Sequence, residues 1–153
     1  MKVLAMFFFF FSAIPGFSQS DAFRIKQYNL DNGVAIKEYD PVAYFTLGKA
    51  VKGTSEFSSS YHGVNYHFAN AADQNSFLSN PQKYEPQYGG WCAYAMGHDG
   101  SKVEVDPATF KIIDGKLFLF YNRFFNNTLK TWNQDESKLH NRADANWQKY
   151  LKQ

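Results

Sequence analysis

The chain has 153 residues, 16 Lys+Arg against 14 Asp+Glu, a single Cys and an aromatic share of 19%. That length holds one ordinary domain; the near-balance of charge, with no basic stripe, gives no support to a nucleic-acid footprint; and one cysteine excludes an internal disulfide framework. Stability must come from packing or from a ligand, and ten Tyr and three Trp supply large rings for a small core.

The first stretch carries Lys2, then an apolar run reaching Phe11, then a weaker tail with Ser18 and Ser20 at the small-residue positions before a cut ahead of Asp21. This pattern predicts a secretory signal peptide over residues 1–20 and a mature domain over residues 21–153. The apolar run is shorter than the ~20 residues that span a bilayer, and no Cys near the cut offers a lipid attachment point. The expected product is exported, periplasmic or extracellular, without stable membrane insertion after cleavage.

Residues 21–32 read as an entry segment closed by the turn pair Asn32-Gly33. Val34 and Ile36 alternate with Ala35 and Lys37 as a short strand. Asp40-Pro41 reads as an N-cap with a first-turn proline, and a helix over 42–47 stops at Gly48. A strand over 50–54 precedes a hairpin of 57–61 and 64–68 turning at His62-Gly63, with Val64, Tyr66 and Phe68 on one face and Asn65 and His67 on the other. Asn70 caps a helix over 71–79, and Pro81 ends it or opens a new turn. After a break over 86–90, the pattern predicts a short helix from Trp91 to Met96 that stops at Gly97 and places Cys92 and Met96 on one face. Val103 and Val105 alternate up to a second Asp-Pro cap at Asp106-Pro107. A hairpin of 110–113 and 116–121 turns at Asp114-Gly115. Phe124, Leu129 and Trp132 punctuate one helix. Leu139, Ala143, Trp147, Tyr150 and Leu151 then form an amphipathic stripe, with Asp144 placed to cap a separate last helix. The fold class is α+β: short antiparallel β-hairpins packed against helices, with a C-terminal helical extension.

Several of these motifs stand in a familiar order. Asp40-Pro41-Val42, the hairpin from Tyr61 to Phe68 and the run from Phe77 to Tyr84 resemble the YHS domain. Pro86-Gln87-Tyr88-Gly89-Gly90-Trp91-Cys92-Ala93 and Ile113 to Leu117 are similar to its exported branch, the YHS domain-containing (seleno)proteins. The resemblance covers roughly residues 33–150. It implies a small metal-associated module of the kind found beside copper or heavy-metal handling machinery. In the metal-binding form a Cys follows Asp-Pro-Val and two more follow the Tyr-x-Phe strand. Here Ala43-Tyr44-Phe45 and the stretch from Ala69 to Asn75 hold those places, so a tetrahedral Cys-rich site cannot be built from this chain. The branch keeps its Cys after Gly-Gly-aromatic, which is Cys92.

Cys92 is accordingly the principal candidate. As a thiolate at the start of a short helix it would be favoured by backbone N–H groups and the helix dipole; as a small hydrophobe it would be an inert member of the core. Thiolate, thioether and imidazole suit Cu(I), which makes Met96 and His98 the nearest candidate co-ligands and His62 and His67 more distant ones. The bland alternatives are core filler for Met96, solvent for His98 and His67, a turn contact for His62 and a surface position for His140. No catalytic triad, metalloprotease helix, CxxC, Walker loop or dinucleotide fingerprint occurs. The resulting expectation is a soft-metal module, copper favoured, whose partner is the metal ion or a metal-handling protein. A single-thiol redox protein using Cys92 and a non-catalytic interaction domain are the other readings.

Expression in an exporting bacterial host should yield a product whose first residue, by N-terminal sequencing, is Asp21; retention of Lys2 in the exported product would refute the signal assignment.

Overall fold

The computed structural model describes residues 20–152, so the expected signal segment lies outside the described residues apart from Ser20. The entry segment is helical rather than extended. Helix α1 (Asp21–Gln27) is capped by Ser20, whose hydroxyl oxygen accepts from the Phe23 N–H at 3.3 Å. Strand β1 (Leu30–Asp31) then turns through Asn32-Gly33 into β2 (Val34–Ala35). The predicted continuation of that strand through Ile36 fails. Ile36, Lys37 and Glu38 all take positive φ, at 54°, 50° and 68°, in a short 3-10 turn that drives Ile36 into the core.

Asp40 closes this segment. Its Oδ1 accepts from the N–H groups of Val42, at 2.8 Å, and Ala43, at 3.3 Å; its Oδ2 accepts from the Ala69 N–H at 2.8 Å. One carboxylate therefore caps α2 (Ala43–Thr46) and pins it to the chain leaving the central hairpin. Gly48, with φ of 63°, ends that turn as expected.

The hairpin of β3 (Thr54–Tyr61) and β4 (Val64–Phe68) turns at His62-Gly63 with φ of 47° and 80°. In place of a separate strand over 50–54, an isolated bridge of Lys52 to Tyr39 leads directly into β3, which begins at Thr54. The four-stranded sheet runs β1-β2-β4-β3, antiparallel except for the parallel β2–β4 pair. Val64, Tyr66 and Phe68 are buried on its inner face under α3 (Ala71–Ser79), which Asn70 caps through the Asp73 N–H. Helix α4 (Pro81–Tyr84) starts at the proline.

The second half is built on one strand. Asp106-Pro107 does not cap a helix: β5 (Asp106–Ile113) runs through it, with the missing proline N–H tolerated at the strand's start and an irregular register between Asp106 and Phe110. Its partner β6 (Lys116–Phe120) is buried on both faces. Leu117 and Leu119 join Tyr66, Phe68 and Phe77 on one side, while Phe118 and Phe120 join Met96, Trp132 and Ala143 on the other. Period-two alternation of a wholly apolar strand thus creates two cores that share a wall.

Phe124 is not helical. It lies in a small hairpin, β7 (Asn122–Arg123) and β8 (Asn126–Asn127), and the helix begins later as α6 (Thr128–Trp132). Helix α7 (Glu136–Tyr150) is continuous; Asp144 is interior to it and accepts from the Tyr88 hydroxyl at 2.9 Å instead of capping. Between them α5 (Ala93–His98) packs on α7. Gly97 lies inside α5 rather than ending it, and its lack of a side chain serves packing: a Cβ there would sit 2.4 Å from the Leu139 carbonyl oxygen.

Burial is the largest influence on the Asp40 carboxyl and pushes it from 3.8 to about 6, against the opposing hydrogen bonds from Ala69 and Val42. A raised native value means tighter proton binding in the folded state. The stabilisation this confers is therefore full below about pH 4 and lost as pH rises through about 6. Asp40→Asn should cost about 1–3 kcal/mol, since the amide cannot accept from all three donors. It should also remove this group's part of the pH dependence, measured by urea unfolding of both proteins near pH 4 and pH 7.

Candidate functional site

The approach to Cys92 is set by backbone geometry. Tyr88, Gly89 and Gly90 take positive φ in succession, at 55°, 60° and 84°. Glycine suits position 89 twice over: its φ is positive, and a Cβ there would press on the Trp147 ring at 3.0 Å and the Tyr28 backbone at 3.2 Å. Trp91 then locks the loop by donating its indole N–H to the Gln27 carbonyl at 2.7 Å. Cys92 follows as the N-cap residue of α5, with an extended ψ of 116° and its own N–H bonded to the Val103 carbonyl at 2.9 Å.

This position changes the expected relation between Cys92 and Met96. Cys92 lies just outside the helix, so the shared helical face does not form. Its side chain joins the first core, while Met96 is fully buried in the second, among Phe118, Phe120 and Trp132. Only backbone joins the two, through the Met96 N–H and the Cys92 carbonyl at 3.0 Å.

The Cys92 sulfur has specific partners. It accepts from the Tyr121 N–H at 3.3 Å and lies 3.5 Å from the Thr128 hydroxyl. Thr128 in turn donates to the Tyr121 carbonyl at 2.9 Å. The protonated thiol can therefore donate to Thr128, while an anionic sulfur keeps the Tyr121 N–H and can draw the threonine hydroxyl toward itself. Neither Tyr121 nor Thr128 is marked by a sequence motif; the exit of β6 brings them here.

Above the sulfur is a pocket of about 290 Å³, bordered by Cys92, Tyr94, His98, Tyr121, Asn126 and Thr128 among others. Cys92 forms part of its wall yet exposes no surface to water, so a ligand must displace neighbouring side chains to reach the sulfur. His98 ends α5 at the exposed side of the pocket. Its ring stacks on Tyr94 with centroids 5.4 Å apart, and its Nδ1 is 3.6 Å from the Asp99 carboxylate. The structure thus brings Cys92 and His98 to one cavity.

The remaining candidates are elsewhere. His67 is on the outer face of β4, opposite Ser58, beside a separate polar pocket with Asn65 and Ser60. His62 sits at the hairpin turn, its Nδ1 3.7 Å from the Asp21 carboxylate and its ring on Tyr61. His140 is half-buried rather than fully exposed: it packs edge-on against Phe118 at 5.0 Å and lies 3.7 Å from Asp144. Among the described residues no group of three or more His, Cys, Asp or Glu side chains is placed to hold one metal ion.

Compared with protein-family profiles, with curated proteins and with solved structures, the chain matches none.

The covered sulfur makes a direct expectation. Native protein should react with Ellman's reagent about a hundredfold or more slowly than unfolded protein, because modification must wait for local opening. Equal rates would place the sulfur in open solvent.

Proposed function

We propose that this protein is a soft-metal module in which Cys92 and His98 hold a thiophilic ion, Cu(I) foremost, in the pocket between α5 and the β7–β8 hairpin. The single observation that carries this reading is that one thiol and one imidazole border the same cavity. The donor set is narrower than the sequence alone offers, since Met96 is enclosed by Phe118 and Trp132 and the hairpin histidines border other surfaces. A sulfur–nitrogen pair suits Cu(I), which tolerates low coordination and prefers soft donors; it does not suit tetrahedral zinc.

The surroundings favour this chemistry. Binding replaces the thiol proton by the metal, leaving a thiolate whose charge the Tyr121 N–H and the Thr128 hydroxyl help to hold. The Asp99 carboxylate lies 3.6 Å from His98 Nδ1, on the side of the ring away from Nε2, the nitrogen that would serve the ion. The motif order similar to the exported YHS branch adds to the case for a metal-associated role, with a metal-handling protein as the partner that delivers or receives the ion.

A second reading has its own observation. The same N–H and hydroxyl would stabilise the sulfur during oxidation by a peroxide, in which a sulfur–oxygen bond forms as the oxygen–oxygen bond breaks and water leaves after protonation.

Titration of the reduced exported protein with Cu(I) against a competing chelator tests the first reading. One ion should bind per chain, with binding abolished in Cys92→Ala, weakened about tenfold or more in His98→Ala and unchanged in Met96→Leu. Absence of binding in the unmodified protein, or its persistence in Cys92→Ala, would overturn the proposal. A peroxide-dependent gain of one oxygen at Cys92 would then favour the second reading.

A further inference from the structure

The β7–β8 hairpin departs from what its residues prefer. The register pairs Asn122 with Asn127 and Arg123 with Asn126, leaving Phe124 and Phe125 as the two central residues of the turn. Both take positive φ, 50° and 63°, the geometry of a type I′ turn that ordinarily selects Asn-Gly. Bulky side chains are disfavoured in that region, and these two recover nothing by packing: their relative exposures are 88% and 111%, against 58% for Leu47, the next large apolar side chain. Two adjacent rings are thus held out at the tip of a short ribbon at a conformational cost the fold itself does not need.

The charge around the tip selects its partner. Residues 115–134 contain Lys116, Arg123 and Lys130 and no Asp or Glu. Arg123 and Lys130 flank the rings in sequence and are exposed, and among the described residues neither has an ion-pair partner. Asn122, Asn126 and Asn127 supply amides at the base of the ribbon. Apolar rings at a tip, with polar amides and unpaired cations behind them, match the layered chemistry of a lipid interface whose headgroups are anionic.

We propose that this hairpin is a shallow, reversible membrane anchor that inserts Phe124 and Phe125 among the acyl-chain ends of an anionic bilayer while Arg123 and Lys130 meet its headgroups. Two rings do not span a membrane, and no helix among the described residues is long and apolar enough to cross one. Attachment is peripheral. Because Asn126 also borders the Cys92 pocket, an anchored protein would carry that pocket close to the lipid surface.

The test uses the full-length exported protein with vesicles of phosphatidylglycerol and phosphatidylcholine, and with vesicles of phosphatidylcholine alone, followed by co-sedimentation. The protein should bind the anionic vesicles about tenfold or more tightly than the neutral ones and be released by salt. Phe124→Asn/Phe125→Gly installs the residues this turn prefers, so it should melt at the same or a higher temperature while its binding to anionic vesicles falls about tenfold or more. Arg123→Gln/Lys130→Gln leaves the turn unchanged and should abolish the preference for anionic over neutral vesicles. Failure of the unmodified protein to bind anionic vesicles, or undiminished binding by the Phe124→Asn/Phe125→Gly variant, would overturn the proposal; the first result would direct attention to a protein partner with an aromatic-accepting groove. Neither outcome bears on Cu(I) binding at Cys92.

Discussion

Burial of β6 on both faces is the constraint from which the rest of the second half follows. A strand reading Lys116-Leu117-Phe118-Leu119-Phe120 has no polar side to offer solvent, so it needs cover above and below. The central hairpin and α3 supply one cover; α5, α6 and α7 supply the other. At roughly 1.5–3 kcal/mol for each fully buried large apolar side chain, these four residues form one of the strongest local contributions to the fold. The next residue, Tyr121, leaves this enclosed strand with its N–H directed at the Cys92 sulfur and its carbonyl occupied by Thr128. The rigidity of the core is thereby passed to the candidate site.

Polar ties complete what packing begins. Asp40 joins the start of α2 to the end of β4 through three backbone donors. Glu85 does similar work lower in the core. One of its oxygens accepts from the Arg24 guanidinium and from the Tyr66 hydroxyl, each at 2.6 Å. Arg24 also lies over the Tyr28 ring, at 4.5 Å from its centroid. These contacts dock α1 on the hairpin. Burial, reinforced by the Glu85 charge, pushes the Tyr28 hydroxyl up to about 12 and keeps it neutral at ordinary pH. Loss of either carboxylate would strand buried donors, which costs more than the bond itself contributes.

The large hydrophobic side chains held at positive φ fall into two kinds. Ile36 and Tyr88 hold positive φ, but both side chains are buried, so core contacts offset the backbone cost. Phe124 and Phe125 hold the same conformation with no burial at all. Only the second kind requires an explanation from outside the chain. The same distinction separates Met96, whose thioether fills a gap between aromatic rings, from Cys92, whose sulfur has polar partners and a cavity beside it.

Elements whose signals are local were legible from the sequence. The His62-Gly63 and Asp114-Gly115 turns, the Asn70 cap, the inward face of Val64, Tyr66 and Phe68, and the stripe of the last helix all depend on neighbours within a few residues, and the α+β class follows from them. Cys92 was legible as a candidate because it is the sole thiol beside a Gly-Gly pair. Tertiary contact decided the rest. Gly97 looks like a helix stop until Leu139 of α7 is seen to press against it, and Phe124 fits a helical stripe until the two short strands around it pair. Cys92 and Met96 have helical spacing, yet the Val103 carbonyl holds the Cys92 N–H and keeps that residue just outside α5. Sequence spacing shows which donors are near along the chain; the folding of β6, α5 and the β7–β8 hairpin against one another determines that His98 shares the Cys92 pocket and Met96 does not.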